Sequence, residues 1–341
     1  MNVLVTGTAG FIGSALAVRL LERGDHVVGF DNLNDYYDIA LKRARLARFI
    51  DHPRYTHVEA DLADRGAVDS AFASHRPQRV VNLAAQAGVR YAAINPHAYV
   101  SSNVTGFLHI LEGCRRHGVE HLVFASTSSV YGANTSMPFS EHSGTEHPLT
   151  LYAATKKADE MMAHSYAHLY GIPSTGLRFF TVYGPWGRPD MAPMLFAKAI
   201  RSGEPIKVFN NGRHKRSFTY IDDIVEGIVR TLDIAPVPNA AWDAAHPDPA
   251  SSSAPYRIYN IGHEKPVELL RFIELLEQAF GRKAQMQMLP LQPGDVPDTE
   301  ADVAELIRAV DYSPQVSIET GVARFAQWYD SYDANAQRCQ A

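Results

Sequence analysis

The sequence predicts an α/β protein: a doubly wound, mostly parallel sheet with helices on both faces and a smaller C-terminal α/β lobe. Three observations predict it. Short apolar runs alternate with segments of helical period from the first residues onward. A glycine-spaced stretch, GTAGFIG, joins the first apolar run to the first helix. The 341 residues exceed one ordinary core and suit a large unit with a smaller one appended.

Taken in order, Val3-Leu4-Val5 reads as a strand and Gly10 to Arg23 as a helix. Val27 to Phe30 is a second strand and Tyr55 to Glu59 a third. Val80 to Leu83 and His121 to Ala125 follow, with helices between. Such βαβ alternation demands a parallel sheet covered on both faces. Two longer helices are predicted, Ala98 to His117 and Leu151 to Tyr170, each with an apolar face to bury. Leu177 to Phe180 is the next strand, followed by the Gly/Pro loop YGPWGRPD. A helix over Pro193 to Ser202, a strand over Ile206 to Phe209 and a helix over Tyr220 to Leu232 come next. Residues 235–256 are rich in Pro, Ala and Ser and read as an exposed excursion. The chain returns as strand Ile258 to Ile261 and helix Val267 to Phe280. The expected division is 1–180 with 218–262 as the larger domain, 181–217 with 263–330 as the smaller lobe, and 331–341 as a tail.

Composition narrows the function classes. The chain is 46% hydrophobic and 20% charged, with a net charge of −5, so a nucleic-acid-binding face is not expected. No apolar run is long enough to span a bilayer. The start, MNVLVTG, lacks the features of a signal peptide, and the two cysteines offer no disulfide framework. A cytoplasmic location is therefore expected. No HExxH or close His/Cys cluster appears among the fifteen histidines, so no metal site is expected.

The stretch GTAGFIG has the strand–loop–helix setting of a Rossmann-type dinucleotide cradle. Gly7 and Gly10 allow a tight turn and close backbone approach to a pyrophosphate, and Gly13 allows the helix to pack closely on the strand. The helix N-terminus adds free N–H groups and a partial positive charge. Phe11 and Ile12 belong to this turn. Asp31 ends the second strand, where its carboxylate can accept from both adenosine ribose hydroxyls and would repel a 2′-phosphate; Asn32 follows it. NAD is thus expected in preference to NADP. Asp61 and Leu62, at the end of the third strand, either hold the adenine or form a plain loop.

A second cluster follows the fifth strand. STSSVYG, residues 126–132, sets four hydroxyls and a tyrosine at a strand end with no acid among them. Downstream, LYAATKK places Tyr152 and Lys156 four apart at a helix start, on one face. An ammonium favours the phenolate form of a nearby tyrosine. Tyr152 could then take a proton from a sugar hydroxyl while hydride leaves the same carbon. Thr127 could share that hydrogen bond, and Lys156 could also hold the nicotinamide ribose.

These motifs together resemble the extended short-chain dehydrogenase/reductases of the nucleotide-sugar epimerase group. TGTAGFIG, NLAAQAGVR, STSSVYG, YAATK, LRFFTVYGPWGRPDMA, KRSFTYIDDIVEGI, NIG and QPGDVPDT occur in the family's order over nearly the whole chain. Within the group, DNLNDYYD and GPWGRPDMA resemble the UDP-glucuronate 4-epimerases most. The resemblance implies Thr127 as catalytic partner, Tyr152 as base and Lys156 as its tuner. It implies cofactor contact at Leu83, Ala84 and Ala85, with Asn103 supporting the site. One departure is Asn82, where relatives often carry histidine.

The missing acid points to a reaction. Related 4,6-dehydratases expel a C6 hydroxyl and typically carry Asp-Glu just after the catalytic threonine; here those positions are Ser128 and Ser129. Neither serine is a useful general acid. Epimerisation at C4, through a 4-keto sugar with the cofactor regenerated each cycle, is the fate left. Arg188 offers a bidentate fork for a substrate carboxylate, helped by Thr181; pairing of Arg188 with Asp190 or a phosphate stays open. By resemblance, Arg216 grips the UDP diphosphate, Asp295 meets a uridine hydroxyl, and the backbone around Val208 to Asn210 reads uracil. The substrate expected is UDP-glucuronate. The alternatives are a neutral UDP-hexose 4-epimerase and a non-catalytic NAD sensor. A homodimer through the two long helices is expected.

Overall fold

The computed structural model describes residues 1–291, 296 and 298–340. Its centre is a seven-stranded parallel sheet in the order Tyr256–Ile261, Ser174–Phe179, His121–Thr127, Arg79–Asn82, Asn2–Thr6, His26–Asp31, Tyr55–Glu59. The order reverses beside Asn2–Thr6, which pairs with His26–Asp31 on one side and Arg79–Asn82 on the other. Open α/β sheets bind ligands at such a reversal, beyond the carboxyl ends of the strands. The inner strands are apolar on both faces: Val3, Val5, Val81 and Val123 face one core, Leu4, Val80, Leu122 and Phe124 the other. That is why they read as continuous apolar runs rather than alternating ones.

Tyr55–Glu59 is as expected, Arg79–Asn82 is shifted by one residue, and the other sheet strands run one to three residues beyond an expected bound, most usefully at His121–Thr127, where Ser126 and Thr127 belong to the strand itself. The first helix is Phe11–Arg23, and its cap is Gly10. Thr150 caps Leu151–Tyr170, its side chain accepting from the Ala153 N–H. The expected helix Ala98 to His117 starts earlier and is not uniform. Asn95 caps it, Pro96 opens it, and Val100–Thr105 forms a π-helical segment before Gly106–His117. A π segment re-aims the side chains around it.

Past residue 180 the outcome is mixed. Helices Ala192–Ser202 and Ile221–Asp233 fall where expected. The strand expected at Ile206 to Phe209 is Pro205–Val208, and Phe209–Gly212 is a tight turn with Asn210 and Asn211 at φ 52° and 50°. Val267 and Glu268 are not helical: they pair antiparallel with Lys215 and Arg216, and the helix is Leu269–Phe280. Local period could not separate them from the helix, because the pairing partner lies some fifty residues away. Helices Ala304–Val310 and Ile318–Gln340 were not anticipated, and the second continues through the supposed tail. The segment read as an exposed excursion folds back at its end: Ala250, Ser251, Ser252 and Ala254 are buried. Its Asp248 pairs with His142 at 2.8 Å. No helix among the described residues is long and apolar enough to cross a membrane.

Beneath the sheet's carboxyl edge lies a buried ion pair. Arg178 Nε and Nη2 donate to the Glu160 carboxylate at 2.9 and 3.0 Å, and both side chains are essentially inaccessible. Ser126 Oγ and Lys157 Nζ donate to the same carboxylate at 2.6 and 3.1 Å. Burial pushes the Glu160 acid up, but these donors outweigh it and hold it near 2, below its ordinary 4.5. A depressed carboxylate contributes stability that is present above its unfolded value and lost as pH falls through the folded one. Urea unfolding should therefore show stability from this group declining between pH 4.5 and about 2. Glu160→Gln should lower stability by about 3–5 kcal/mol at neutral pH, because Arg178 is left uncompensated, and should flatten that acid decline.

Candidate active site

A cavity of about 420 Å³ opens over the carboxyl ends of the central strands. One end is built from the first loop. Gly7 stands at φ +77°, and an added Cβ would lie 2.9 Å from Ala84 N. At Gly13 a Cβ would lie 2.0 Å from the Gly7 carbonyl oxygen, so helix and loop touch backbone to backbone. Gly10 caps the helix without any side-chain hydrogen bond to its first N–H groups. Those donors remain for a ligand, which fits a pyrophosphate. Asp31 closes this end; its Oδ2 accepts from Ala9 N and its Oδ1 from Leu33 N, both at 2.9 Å. The carboxylate is thus fixed before any ribose arrives. Asn32 Nδ2 donates to Asp61 Oδ2 at 2.8 Å, holding the next wall.

Thr6 shapes the floor. Its hydroxyl accepts from Leu83 N and Ala84 N at 3.1 and 3.0 Å and donates to Asn82 Oδ1 at 2.7 Å. The unusual Asn82 is therefore a buried scaffold group. Asn103 likewise does not line the cavity. It is buried behind it, accepting from Gln86 N at 2.8 Å and donating to Gln86 O and Thr155 Oγ1 at 3.1 and 3.0 Å. Thr155 Oγ1 donates in turn to the Tyr152 carbonyl at 2.9 Å. The π segment carries Asn103, so that irregularity connects the cavity floor to the turn bearing Tyr152.

At the other end, Thr127, Ser128, Ser129, Tyr152, Lys156, Thr181 and Arg188 all line the cavity. Strand alternation sorts the hydroxyl cluster. Ser126 turns inward to Glu160, whereas Thr127 Oγ1 accepts from Ser129 N at 3.2 Å and donates to Ser129 Oγ at 3.3 Å. Below the loop, Arg178 stacks 4.9 Å over the Tyr131 ring, and Tyr131 donates to Asn260 Oδ1 at 2.6 Å. Lys156 is almost fully buried. Asp31 and Asp61 are the only carboxylates among the described residues that line it, and both sit at the dinucleotide end.

Arg188 adopts the pairing left open by its sequence context. Nε and Nη2 donate to Asp190 at 3.1 and 2.5 Å, and Tyr36 donates to the same carboxylate at 3.1 Å. Burial opposes the Arg188 charge, but the hydrogen bonds and charge of Asp190 hold its pKa above the ordinary value. Burial and then the Asp190 charge push the Tyr36 hydroxyl up to about 12. Gly88, at φ +98°, makes room: a Cβ there would meet Tyr36 Oη at 2.7 Å and Arg188 Nη2 at 3.5 Å. The sequence reading missed Tyr36, Lys42 and Gly88. The repeated aromatics in DNLNDYYD and the glycine within QAGVR were the signals available. It also missed Arg45, whose buried guanidinium donates to the carbonyls of Ala9, Trp186 and Gly187. One side chain thus ties the glycine loop to the loop that carries Arg188.

Two expected contacts are not brought to the cavity. Val208 is fully buried, and its carbonyl accepts from Leu289 N at 2.9 Å within strand pairing. Arg216 lies in the Lys215–Arg216 strand and donates to the Val296 carbonyl at 2.6 Å. Neither lines the described cavity. Asp295 lies outside the described residues.

A family model, the NAD dependent epimerase/dehydratase family, matches residues 3–262. This chain belongs to that family. Among curated members, Protein CapI of Staphylococcus aureus is 51% identical, over 97% of this chain and 99% of its own. A probable UDP-glucuronate 4-epimerase of Rhizobium meliloti (strain 1021) is 50% identical, over 97% of each chain. Among solved structures, UDP-glucuronic acid 4-epimerase from Bacillus cereus, in complex with UDP-glucuronic acid and NAD, superposes with a TM-score of 0.87. It is 31% identical and covers 97% of this chain and 100% of its own.

The cradle yields a direct test. Gly13→Ala forces a methyl group onto the Gly7 carbonyl. Overpacking of that kind costs about 1–3 kcal/mol, and because it displaces the loop that receives the pyrophosphate, dinucleotide affinity should fall about five- to a hundredfold. Equilibrium binding of NAD measures it, and an unchanged affinity contradicts the geometry given for the loop.

Proposed function

We propose that this chain interconverts UDP-glucuronate and UDP-galacturonate by inverting C4 of the sugar. The observation that carries the reading is the make-up of one cavity: a dinucleotide cradle, the Thr127–Tyr152–Lys156 set and Arg188 line it, and no carboxylic acid is among the described residues lining its reacting end. The names of the relatives support it. NAD held in this cradle would supply a hydride acceptor for C4 and, once reduced, a hydride donor to the opposite face of the sugar.

The chain's own residues handle the proton and the geometry. Gly7, Gly10, Gly13 and the helix start hold the pyrophosphate, and Asp31 holds the adenosine ribose. Lys156 anchors the second ribose and supports the Tyr152 phenolate. Tyr152 accepts the O4 proton as the 4-keto sugar forms and gives it back when the alcohol is restored. Thr127 shares that hydrogen bond. Ser128 and Ser129 orient the ring without supplying an acid, so the C6 position is left intact.

The 4-keto form of glucuronate is a β-keto acid, and it loses CO₂ fastest when the C–CO₂ bond aligns with the carbonyl π system. Thr181 and Arg188 hold the carboxylate out of that alignment. Asp190 already occupies two guanidinium nitrogens, so the substrate carboxylate must use Nη1 or exchange with Asp190. The diphosphate and uridine are assigned to the lobe formed by 181–217 and 263–330, with Arg216 at its edge. Firm hold on the UDP leaves the sugar free to turn over between the two transfers.

The protein acts in the cytoplasm as a homodimer. Leu108 on Gly106–His117, and Met161, Leu169 and Tyr170 on Leu151–Tyr170, are exposed. Exposed apolar groups on two adjacent helices are a surface for a second copy.

Incubating the purified protein with UDP-glucuronate, with no NAD added, should yield UDP-galacturonate by chromatography. Turnover of UDP-glucose but not UDP-glucuronate would favour the neutral-sugar enzyme instead. Thr181→Ala and Arg188→Ala should each raise the share of UDP-pentose among the products, and an unchanged share with unchanged substrate affinity removes the carboxylate assignment.

A further inference from the structure

Lys156 has a partner that the reaction as written does not use. Its Nζ lies 2.5 Å from Asp159 Oδ2, three residues along the same helix. The two side chains are 2% and 1% exposed. The second oxygen, Asp159 Oδ1, is buried with no hydrogen-bond partner among the described residues. An acid placed there is costly to bury, and the pairing leaves half of its hydrogen-bonding capacity unmet.

The charges around the pair are few. On the same helix, Lys157 and Glu160 flank it, and Glu160 is already matched by Arg178 from the strand behind. The Tyr256 hydroxyl reaches the Glu160 backbone carbonyl, not Asp159. Toward the cavity, Tyr99 packs edge-on to Tyr152 at 6.1 Å, and the Arg188 charge interacts with Tyr152. Asp159 is therefore paired with Lys156 alone among the described residues. Burial pushes the Asp159 carboxyl up, against the pull of the ammonium beside it.

We propose that Asp159 is a positioning residue for the reaction: it takes one of the three Lys156 N–H donors, leaving two for the cavity, and offsets part of the ammonium charge felt by Tyr152. This rests on the reading of Tyr152 as the base. The chemistry gives the offset a purpose. A base that only removed a proton would gain from the strongest nearby cation. Here the same tyrosine must return the proton each cycle, so neither of its forms can be strongly preferred at working pH. An uncompensated Lys156 would hold Tyr152 too firmly as phenolate.

Asp159→Asn keeps the size and can still accept from Lys156, but it removes the charge. In NAD-loaded protein, the tyrosinate absorbance of Tyr152 is read as the difference from Tyr152→Phe, without turnover. Its midpoint should move to lower pH by about one unit in Asp159→Asn, and the acid limb of kcat should move with it. Wild type and variant should converge at acid pH, where Asp159 is itself protonated. If Asp159→Asn fails to fold, Asp159→Ser serves in the same measurement. A purely structural role predicts lower thermal stability with both pH midpoints unmoved, and that outcome overturns the proposal. A wild type with no absorbance that Tyr152→Phe removes overturns the assignment of Tyr152, and this proposal with it; the presence or absence of that signal tells the two failures apart.

Discussion

The buried pair of Arg178 with Glu160 is the constraint on which the rest of the site depends. Two side chains that would ordinarily seek water are sealed beneath the carboxyl ends of the central strands. Leaving either alone is costly, so the strand that carries Arg178 and the helix that carries Glu160 are held in one relative position. Tyr152 and Lys156 lie on that same helix, about two turns and one turn earlier. Ser126, donating to Glu160, fixes the end of the adjacent strand. Arg178 also lies against Tyr131, and Tyr131 reaches Asn260 on the edge strand. The hydroxyl loop is thus supported from below by a polar layer spanning three strands and a helix.

That layer explains how one strand end does two jobs. Successive residues of a strand point to opposite faces. Ser126 is consumed by the scaffold and Thr127 by the cavity. The tight turn after Thr127 then brings Ser128 and Ser129 to the cavity as well. Precise placement matters for proton transfer, because a base must lie within hydrogen-bond reach of the proton it takes. A buried, multiply hydrogen-bonded platform meets that requirement better than a free loop.

A second clamp joins the two ends of the cavity. Arg45 has no carboxylate partner among the described residues; backbone carbonyls from the glycine loop and the Trp186–Gly187 turn, with the Tyr37 hydroxyl, accept from it. Burial lowers its pKa, yet an arginine so placed remains charged. One buried side chain therefore ties the dinucleotide end to the Arg188 end. Asp190, Tyr36 and Gly88 complete the Arg188 corner, and together they present a cation at the place where the proposed substrate carries its acid.

Much of this was legible along the chain. The glycine spacing, Asp31, the hydroxyl cluster and the Tyr152–Lys156 spacing each mark chemistry within about a dozen residues. A turn, a helix face or a strand end is determined by near neighbours, so the sequence alone determined the sheet, the cradle and the residues that a strand end and a helix start bring to the cavity. Val267 and Glu268, Arg45, the Tyr36 contact with Asp190 and the inward turn of Ser126 were decided only in three dimensions. The same is true of Val208, whose backbone is spent on a strand pairing invisible to local period. Each of these depends on a partner far away in the chain, and polar groups buried between distant segments find their partners only when the whole fold closes around them.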